Sequence, residues 1–313
     1  MLALLFPGQG SQAVGMGRDV FESSPAARAT FEAADRALGF ALTKLCFEGP
    51  EDELRRTEIQ QPAILTTSIA LLRALEERQP QAPAYVAGHS LGEYSALVAA
   101  GALAFEDAVV LVNRRGRFMQ EAVAPGKGAM AALMGLEPEA VDAACAAAAA
   151  ATGLVVSSAN YNSPQQTVIA GEAAAVERAI DLAKQRGAKR AVPLPVSAPF
   201  HCALMRPAAE RLAPELARVR FHDPRVPVIT NVEAAPNASA ARIPSLLERQ
   251  VTAPVRFIES VRKLAELGVT RVVEIGPGGV LTGLVARIER GIARANVATR
   301  EDVEALVSGG GAA

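Results

Sequence analysis

Short apolar runs, each cut off by glycine or proline, alternate with stretches of helical periodicity along nearly the whole chain. Residues 2–6 read as a strand that runs into the turn Pro7-Gly8-Gln9-Gly10-Ser11-Gln12, and helical patterns follow over about 18–38 and 64–78. Residues 84–87 read as a short buried strand ending at Gly88, and 93–100 as a helix stopped by Gly101. This is the opening of an α/β protein, with room for a nucleophile-bearing turn between the second strand and its helix.

From 128 to 196 the pattern changes: strand 129–134, helix 138–151, strands 154–159 and 166–170, helix 173–186, strand 189–195. The order βαββαβ is that of a ferredoxin-like unit, compact enough to be an inserted subdomain. Pro125-Gly126-Lys127-Gly128 and the proline-rich stretch 193–199 read as its two linkers. The expected division is therefore 1–127 with 197–313 as a large subdomain and 128–196 as a small one. Beyond the insert the α/β pattern resumes with strand 226–230, helix 254–267, strand 271–275, the turn Gly276-Pro277-Gly278-Gly279 and helix 280–288. The tail 308–313 is expected to fray.

Composition narrows the function more by exclusion than by assertion. Half the residues are hydrophobic, so the chain can bury a sizeable core. Its 32 basic and 33 acidic residues leave a net charge of −1, which gives no broad positive face for nucleic acid. Cys46, Cys145 and Cys202 are too scattered for a metal or redox pair and read as reduced, mostly buried thiols. The N-terminal apolar run has no basic flank and meets Pro7 too soon for a secretory leader, so a cytoplasmic protein is expected. No run is long enough for a membrane span. The alanine-rich stretch 143–151, behind Pro138, reads as a surface helix. Neither a metal nor a tightly bound organic cofactor is expected.

Gly88-His89-Ser90-Leu91-Gly92 fits G-x-S-x-G between a predicted strand and a predicted helix, the context that gives the match its weight. The glycines permit a sharp turn, and Ser90 would stand at a helix amino end, where free N–H groups favour an oxyanion. The competing reading is an N-cap serine. A serine hydroxyl needs a base, and the chain has three histidines. His89 adjoins Ser90 and reads as a packing or turn residue; His222 reads as part of a surface turn. His201 follows the proline-broken linker and precedes a helix, which suits a loop residue aimed into a cleft; a structural histidine is the alternative. No acidic residue stands out to orient it, and a backbone or amide carbonyl can serve instead.

The helix expected over 106–123 carries Arg114, Arg115 and Arg117. At 100° per residue Arg115 falls among Ala108, Leu111, Val112, Phe118 and Met119, Arg117 on the polar side and Arg114 on the flank. A guanidinium on an apolar face is costly unless paired, and its planar fork suits a carboxylate. Arg115 is therefore either the reader of a substrate carboxylate or half of an internal salt bridge.

Together, Phe6-Pro7-Gly8-Gln9-Gly10-Ser11-Gln12, Gly88-His89-Ser90-Leu91-Gly92-Glu93, Arg115-Gly116-Arg117-Phe118-Met119-Gln120, Asn160-Tyr161-Asn162-Ser163-Pro164 and Phe200-His201 resemble the malonyl-CoA:acyl-carrier-protein transacylases of dissociated fatty-acid synthesis. The resemblance spans almost the whole chain. It implies an α/β-hydrolase-like large subdomain with a parallel sheet beside the ferredoxin-like small one. It implies malonyl-CoA and acyl carrier protein as partners, with Ser90 as the acylated nucleophile, His201 as general base and acid, and Arg115 on the malonyl carboxylate. It further implies oxyanion N–H groups from Gln9 and Leu91, a Gln250 carbonyl behind His201, and an acyl pocket lined by Gln61, Met119 and Asn160. Ala198-Pro199-Phe200 before His201 is a variant at which side chains influence acyl-unit choice, so acetyl or methylmalonyl acceptance stays open. The carrier protein of this pathway is acidic, and Lys184, Arg186, Lys189 and Arg190 form one candidate docking patch; their competing role is to offset a helix dipole.

Three other readings compete. A serine esterase or thioesterase shares the elbow and the histidine but ordinarily has an acid behind the base and no need of a buried arginine. A non-catalytic carrier-binding scaffold has no use for an intact Ser90 and His201. Nucleotide binding at the glycine-rich turns fails because neither G-x-x-x-x-G-K-[ST] nor G-x-G-x-x-G occurs at Gly8 or Gly276.

Overall fold

The apolar run at the N-terminus forms strand β1, Leu2–Phe6, and its alternation sets the layers of the molecule. Successive side chains of a strand point to opposite faces. Leu4 and Phe6 pack with Ile64, Leu65, Leu97 and Val112 on one side, while Ala3 and Leu5 pack with Phe257, Val261, Leu281 and Leu284 on the other. A strand buried on both faces has to be apolar throughout, as this one is. The computed structural model describes residues 1–196 and 198–309. Ser197, in the expected exit linker and at the start of the expected second segment of the large subdomain, lies outside the described residues, as do residues 310–313 of the expected frayed tail.

The remaining strands are β2 Tyr85–Gly88, β3 Gly128–Met134, β4 Val156–Ser163, β5 Gln166–Glu172, β6 Arg190–Pro193, β7 Val228–Ile229, β8 Pro236–Asn237, β9 Arg271–Ile275 and β10 Ala293–Val297. They form two sheets. The larger has the order β10-β9-β1-β2-β7-β8, parallel except for the β7–β8 pair. In its register Phe6 lies beside Gly88, Ala87 beside Ile229, and Leu5 beside Glu274. The loops after β1, β2, β7 and β9 therefore leave the sheet at one edge, the carboxyl end of the parallel strands, where open α/β sheets place their sites.

The smaller sheet has the order β4-β5-β3-β6 and is antiparallel throughout. Helices Pro138–Thr152 and Ala173–Gln185 cover one face, burying Val141, Ala144, Cys145, Val176 and Ala179 against Ala131, Leu133 and Ile169. The alanine-rich helix is thus a surface helix with one buried stripe. The opposite face presents Met130, Ala132, Val168 and Ala170 to the main core.

Three departures from the sequence pattern have local causes. The expected helix 18–38 is two helices, Arg18–Ser23 and Pro25–Leu38, because Ser24 turns extended and its hydroxyl caps the second through the Ala27 N–H. The helix expected from residue 64 begins at Thr57 and runs through Pro62. Proline has no N–H for the Glu58 carbonyl one turn back, and the Asn113 side-chain amide supplies that donor at 2.7 Å. The expected helix 254–267 starts later, at Phe257, because Val255 pairs as an extended residue with Asn160 of β4. A separate helix, Ile243–Thr252, precedes it and carries Gln250. Among the described residues, all three cysteines are free and buried, and no helix is long and apolar enough to cross a membrane.

Candidate active site

Ser90 sits between β2 and helix Gly92–Ala99 with φ of 52°, the left-handed turn that lifts a side chain out of a strand-to-helix junction. Two close approaches make the flanking glycines obligatory. A Cβ on Gly88 would lie 1.9 Å from the Gly92 carbonyl carbon, and one on Gly92 would lie 2.0 Å from the Phe6 carbonyl oxygen. Both obstacles are backbone, which yields little. Gly92→Ala is expected to cost about 2 kcal/mol or more of stability, read as a lower urea midpoint at unchanged slope; an unchanged midpoint would mean the elbow is looser than this packing implies.

Asn231, just past β7, clamps the turn. Its Oδ1 accepts from the Ser90 N–H at 2.6 Å, its Nδ2 donates to the Gly88 carbonyl at 2.7 Å, and its own N–H donates to Glu93 Oε2 at 3.0 Å.

His201 also has a positive φ, 58°, and is 3 % exposed. Ser90 Oγ lies 2.7 Å from its Nε2, and its Nδ1 lies 2.8 Å from the Gln250 carbonyl oxygen. A carbonyl accepts only, so Nδ1 carries the proton and donates to it, leaving Nε2 to accept from the serine hydroxyl. This is the carbonyl-held imidazole that the sequence left open. Burial, then the charge of Arg115, pushes His201 down to about 3, so the free site holds a neutral base. Since kcat/KM reports the free enzyme, its acid limb for acyl loading is expected well below pH 6.5. Loss of half the activity on falling through pH 6.5 would contradict this.

Arg115 projects from helix Phe105–Glu121 and is 1 % exposed. Its Nη1 donates to Gln61 Oε1 at 2.7 Å, and its Nη2 donates to Gln250 Oε1 at 2.9 Å and to Ser90 Oγ at 3.1 Å. The guanidinium also stands over the Tyr94 ring, 5.5 Å from its centroid. Among the described residues it forms no salt bridge, so the internal ion pair that competed with the carboxylate-reader interpretation is absent. Burial holds the Arg115 pKa below its ordinary value, with Tyr94 and Glu93 opposing. The helical reading of its neighbours holds too: Arg114 pairs with Glu215 on the flank, and Arg117 is exposed.

Gln61 reaches Arg115 because the two helices touch through Gly116, where a Cβ would meet the Thr57 carbonyl at 2.5 Å. Met119, buried on the same helix as Arg115, has its Sδ 4.0 Å from Gln61 Nε2. Asn160 is buried on β4, where its main chain bridges to Val255, and among the described residues it has no hydrogen bond to Ser90 or Arg115. The loop holding Gln9 presses on the elbow, since a Cβ on Gly8 would lie 2.4 Å from the His89 carbonyl oxygen. Among the described residues the N–H groups of Gln9 and Leu91 have no hydrogen-bond acceptor within the chain. Beside Gln9 opens a cleft of ≈ 770 Å³, walled by Arg56, Gln60, Gln120 and the segment 194–196.

The other histidines fall as read: His89 is half-buried, 5.6 Å ring to ring from Phe257 with Nε2 2.8 Å from Asn162 Oδ1, and His222 lies in an exposed loop. Lys184, Arg186, Lys189 and Arg190 are exposed at the end of one helix and the start of β6, with Lys184 4.0 Å from Asp181. Sequence reasoning gave no role to Glu93, Tyr94 or Asn231. Glu93 and Tyr94 carried a usable signal, being polar residues on the first turn of a helix buried on all sides; Asn231 carried none beyond its place after a strand.

The acyl transferase domain family matches residues 3–306 of this chain. The chain is 53% identical over 286 residues to the malonyl CoA-acyl carrier protein transacylase of Escherichia coli (strain K12), covering 91% of this chain and 92% of the relative. A solved acyl carrier protein S-malonyltransferase from Vibrio cholerae superposes with a TM-score of 0.95 at 48% identity, covering 97% of this chain and 99% of that one. A malonyl-transacylase solved in complex with a type II PKS acyl-carrier protein superposes equally well, TM-score 0.95 at 47% identity over 98% of this chain and 99% of that one.

Proposed function

This chain belongs to the acyl transferase domain family, and from that premise we propose that it moves malonyl groups from malonyl-CoA to the phosphopantetheine thiol of acyl carrier protein through a malonyl-serine intermediate. The observation that carries the reading is the buried guanidinium of Arg115, without a carboxylate partner among the described residues, 3.1 Å from the hydroxyl of Ser90. An acyl group on that serine is met by a cation, and a malonyl unit ends in the anion such a cation lacks.

In the first half-reaction Ser90 Oγ attacks the thioester carbonyl as its proton passes to His201 Nε2. The N–H groups of Gln9 and Leu91 hold the oxyanion, and its collapse breaks the C–S bond while His201 returns the proton to the departing thiolate. The carrier thiol then enters and loses its proton to His201 as it attacks the serine ester; the ester C–O bond breaks, and His201 returns that proton to Ser90 Oγ. The Gln250 carbonyl holds the imidazole tautomer throughout. Gln61 steadies Arg115, and Met119 and Asn160 complete the acyl pocket. No metal or organic cofactor is needed by these steps.

The same reading takes 1–127 with 197–313 as an α/β-hydrolase-like large subdomain and 128–196 as a ferredoxin-like small one. The small sheet's order and antiparallel pairing support it. Three buried free thiols support a reducing, cytoplasmic setting. An esterase reading is disfavoured because a neutral carbonyl, not a carboxylate, stands behind His201 and leaves the imidazole less basic toward water. The test is intact-protein mass measurement after brief exposure to malonyl-CoA or acetyl-CoA, followed by addition of carrier protein. A malonyl adduct that the carrier discharges fits the reading; an adduct lost to water as fast as to the carrier would favour the hydrolase.

A further inference from the structure

Glu93 is 2 % exposed, yet it touches none of the reacting groups directly. Its Oε2 accepts from Gln250 Nε2 at 2.7 Å and from the Asn231 N–H at 3.0 Å. Gln250 Nε2 also donates to the Ser90 carbonyl at 3.0 Å, and its Oε1 accepts from Arg115 Nη2 at 2.9 Å. The two ends of a glutamine amide have nearly the same shape and opposite hydrogen-bonding sense. Turned the other way, Gln250 would set an N–H against the guanidinium, donor against donor, and push Arg115 away from Ser90.

We propose that Glu93 is a positioning residue that selects for carboxylated acyl units by locking the polarity of the Gln250 amide, a proposal that rests on the malonyl-transfer reading above. A carboxylate oxygen is an obligate acceptor in that position, so only the Nε2 end of Gln250 can face it. The Oε1 end must then face Arg115 and aims the guanidinium at the acyl pocket. The same Oε2 is tied to Asn231, so the arginine clamp and the elbow clamp share one anchor. A carboxylate on the first turn of helix Gly92–Ala99 is favoured by the free N–H groups there, which helps it tolerate burial. Burial pushes the Glu93 carboxyl up to about 7 against the hydrogen bonds of Gln250 and Asn231. Protonation at Oε1 would leave Oε2 an acceptor, so the lock does not depend on the charge.

The test compares loading of Ser90 from malonyl-CoA and from acetyl-CoA in Glu93→Leu, Glu93→Gln and Arg115→Ala, with circular dichroism to verify folding. Glu93→Leu is expected to lower the malonyl-over-acetyl ratio of kcat/KM by about tenfold, the worth of one hydrogen bond. Glu93→Gln, whose Oε1 can take the place of Oε2, is expected to keep most of the ratio. Equal losses for both acyl groups in Glu93→Leu, or a Glu93→Gln ratio as low as that of Glu93→Leu, would overturn the lock. If Arg115→Ala loses the preference while Glu93→Leu keeps it, the lock alone fails. If the unaltered protein shows no malonyl preference at all, the underlying reading fails. Should Glu93→Leu not fold, Gln250→Leu decides, because it removes the amide and retains the main-chain carbonyl against His201. A tenfold loss of the ratio there supports the lock, and an unchanged ratio overturns it.

Discussion

Replacing Ser90 by alanine is expected to remove the acyl-enzyme adduct entirely and to lower malonyl transfer by about ten-thousandfold or more, while leaving the fold intact. The size follows from what is lost. Without the hydroxyl there is no ester to hold the acyl group between donor and acceptor, and ping-pong transfer has no second half. His201, its Nε2 no longer hydrogen-bonded at 2.7 Å by Ser90, keeps its Nδ1 contact to Gln250 and stays neutral. It therefore becomes a base with nothing to activate. The fold is spared because the elbow is held by main chain, through Asn231 on the Ser90 N–H and the Gly88 carbonyl, and none of those bonds uses the serine hydroxyl. Intact-mass measurement after exposure to malonyl-CoA checks the adduct, and a coupled carrier-protein assay checks the rate. An adduct that persists in Ser90→Ala would move the nucleophile elsewhere in the chain and undo the assignment of His201 with it.

The elements nearest this chemistry were legible in the sequence because local rules and tertiary demands agree there. The run 2–6 has to be apolar on both faces of a covered sheet, and Gly88 and Gly92 have to be glycine because backbone lies within 2 Å of where a Cβ would be. Arg115 was legible because a lone cation amid Ala108, Leu111, Val112 and Phe118 breaks a helix pattern that is otherwise consistent. What escaped depends on distant partners. Pro62 signals an interruption, and only Asn113, on another helix, makes the continuous helix affordable. Gln250 was placed by family resemblance alone, since no pattern in 243–252 says that its carbonyl meets His201 or that its amide meets both Arg115 and Glu93. β10 was missed because only one of its five residues is fully buried, which leaves little hydrophobic signal to read.

Arg115→Ala is expected to cut malonyl loading by about 100- to 1,000-fold, the range for truncating one member of a buried, hydrogen-bonded charge pair. Acetyl loading, which offers no carboxylate, should fall far less, so the preference collapses or reverses. Arg115→Lys should lie between them, because an ammonium keeps the charge but loses the fork that meets Gln61, Gln250 and a carboxylate together. A second consequence separates this role from a structural one. After burial, the Arg115 charge is the largest influence holding His201 down. Removing it must raise the His201 pKa back toward 6.5, so the acid limb of kcat/KM for the residual acetyl loading should move to higher pH in Arg115→Ala. On the proposed reading, a bound malonyl carboxylate would do the same thing reversibly, offsetting the guanidinium and making His201 a stronger base once the acyl unit is in the site. Loss of malonyl loading with no movement of that limb would leave Arg115 as a carboxylate clamp and remove its influence on the base.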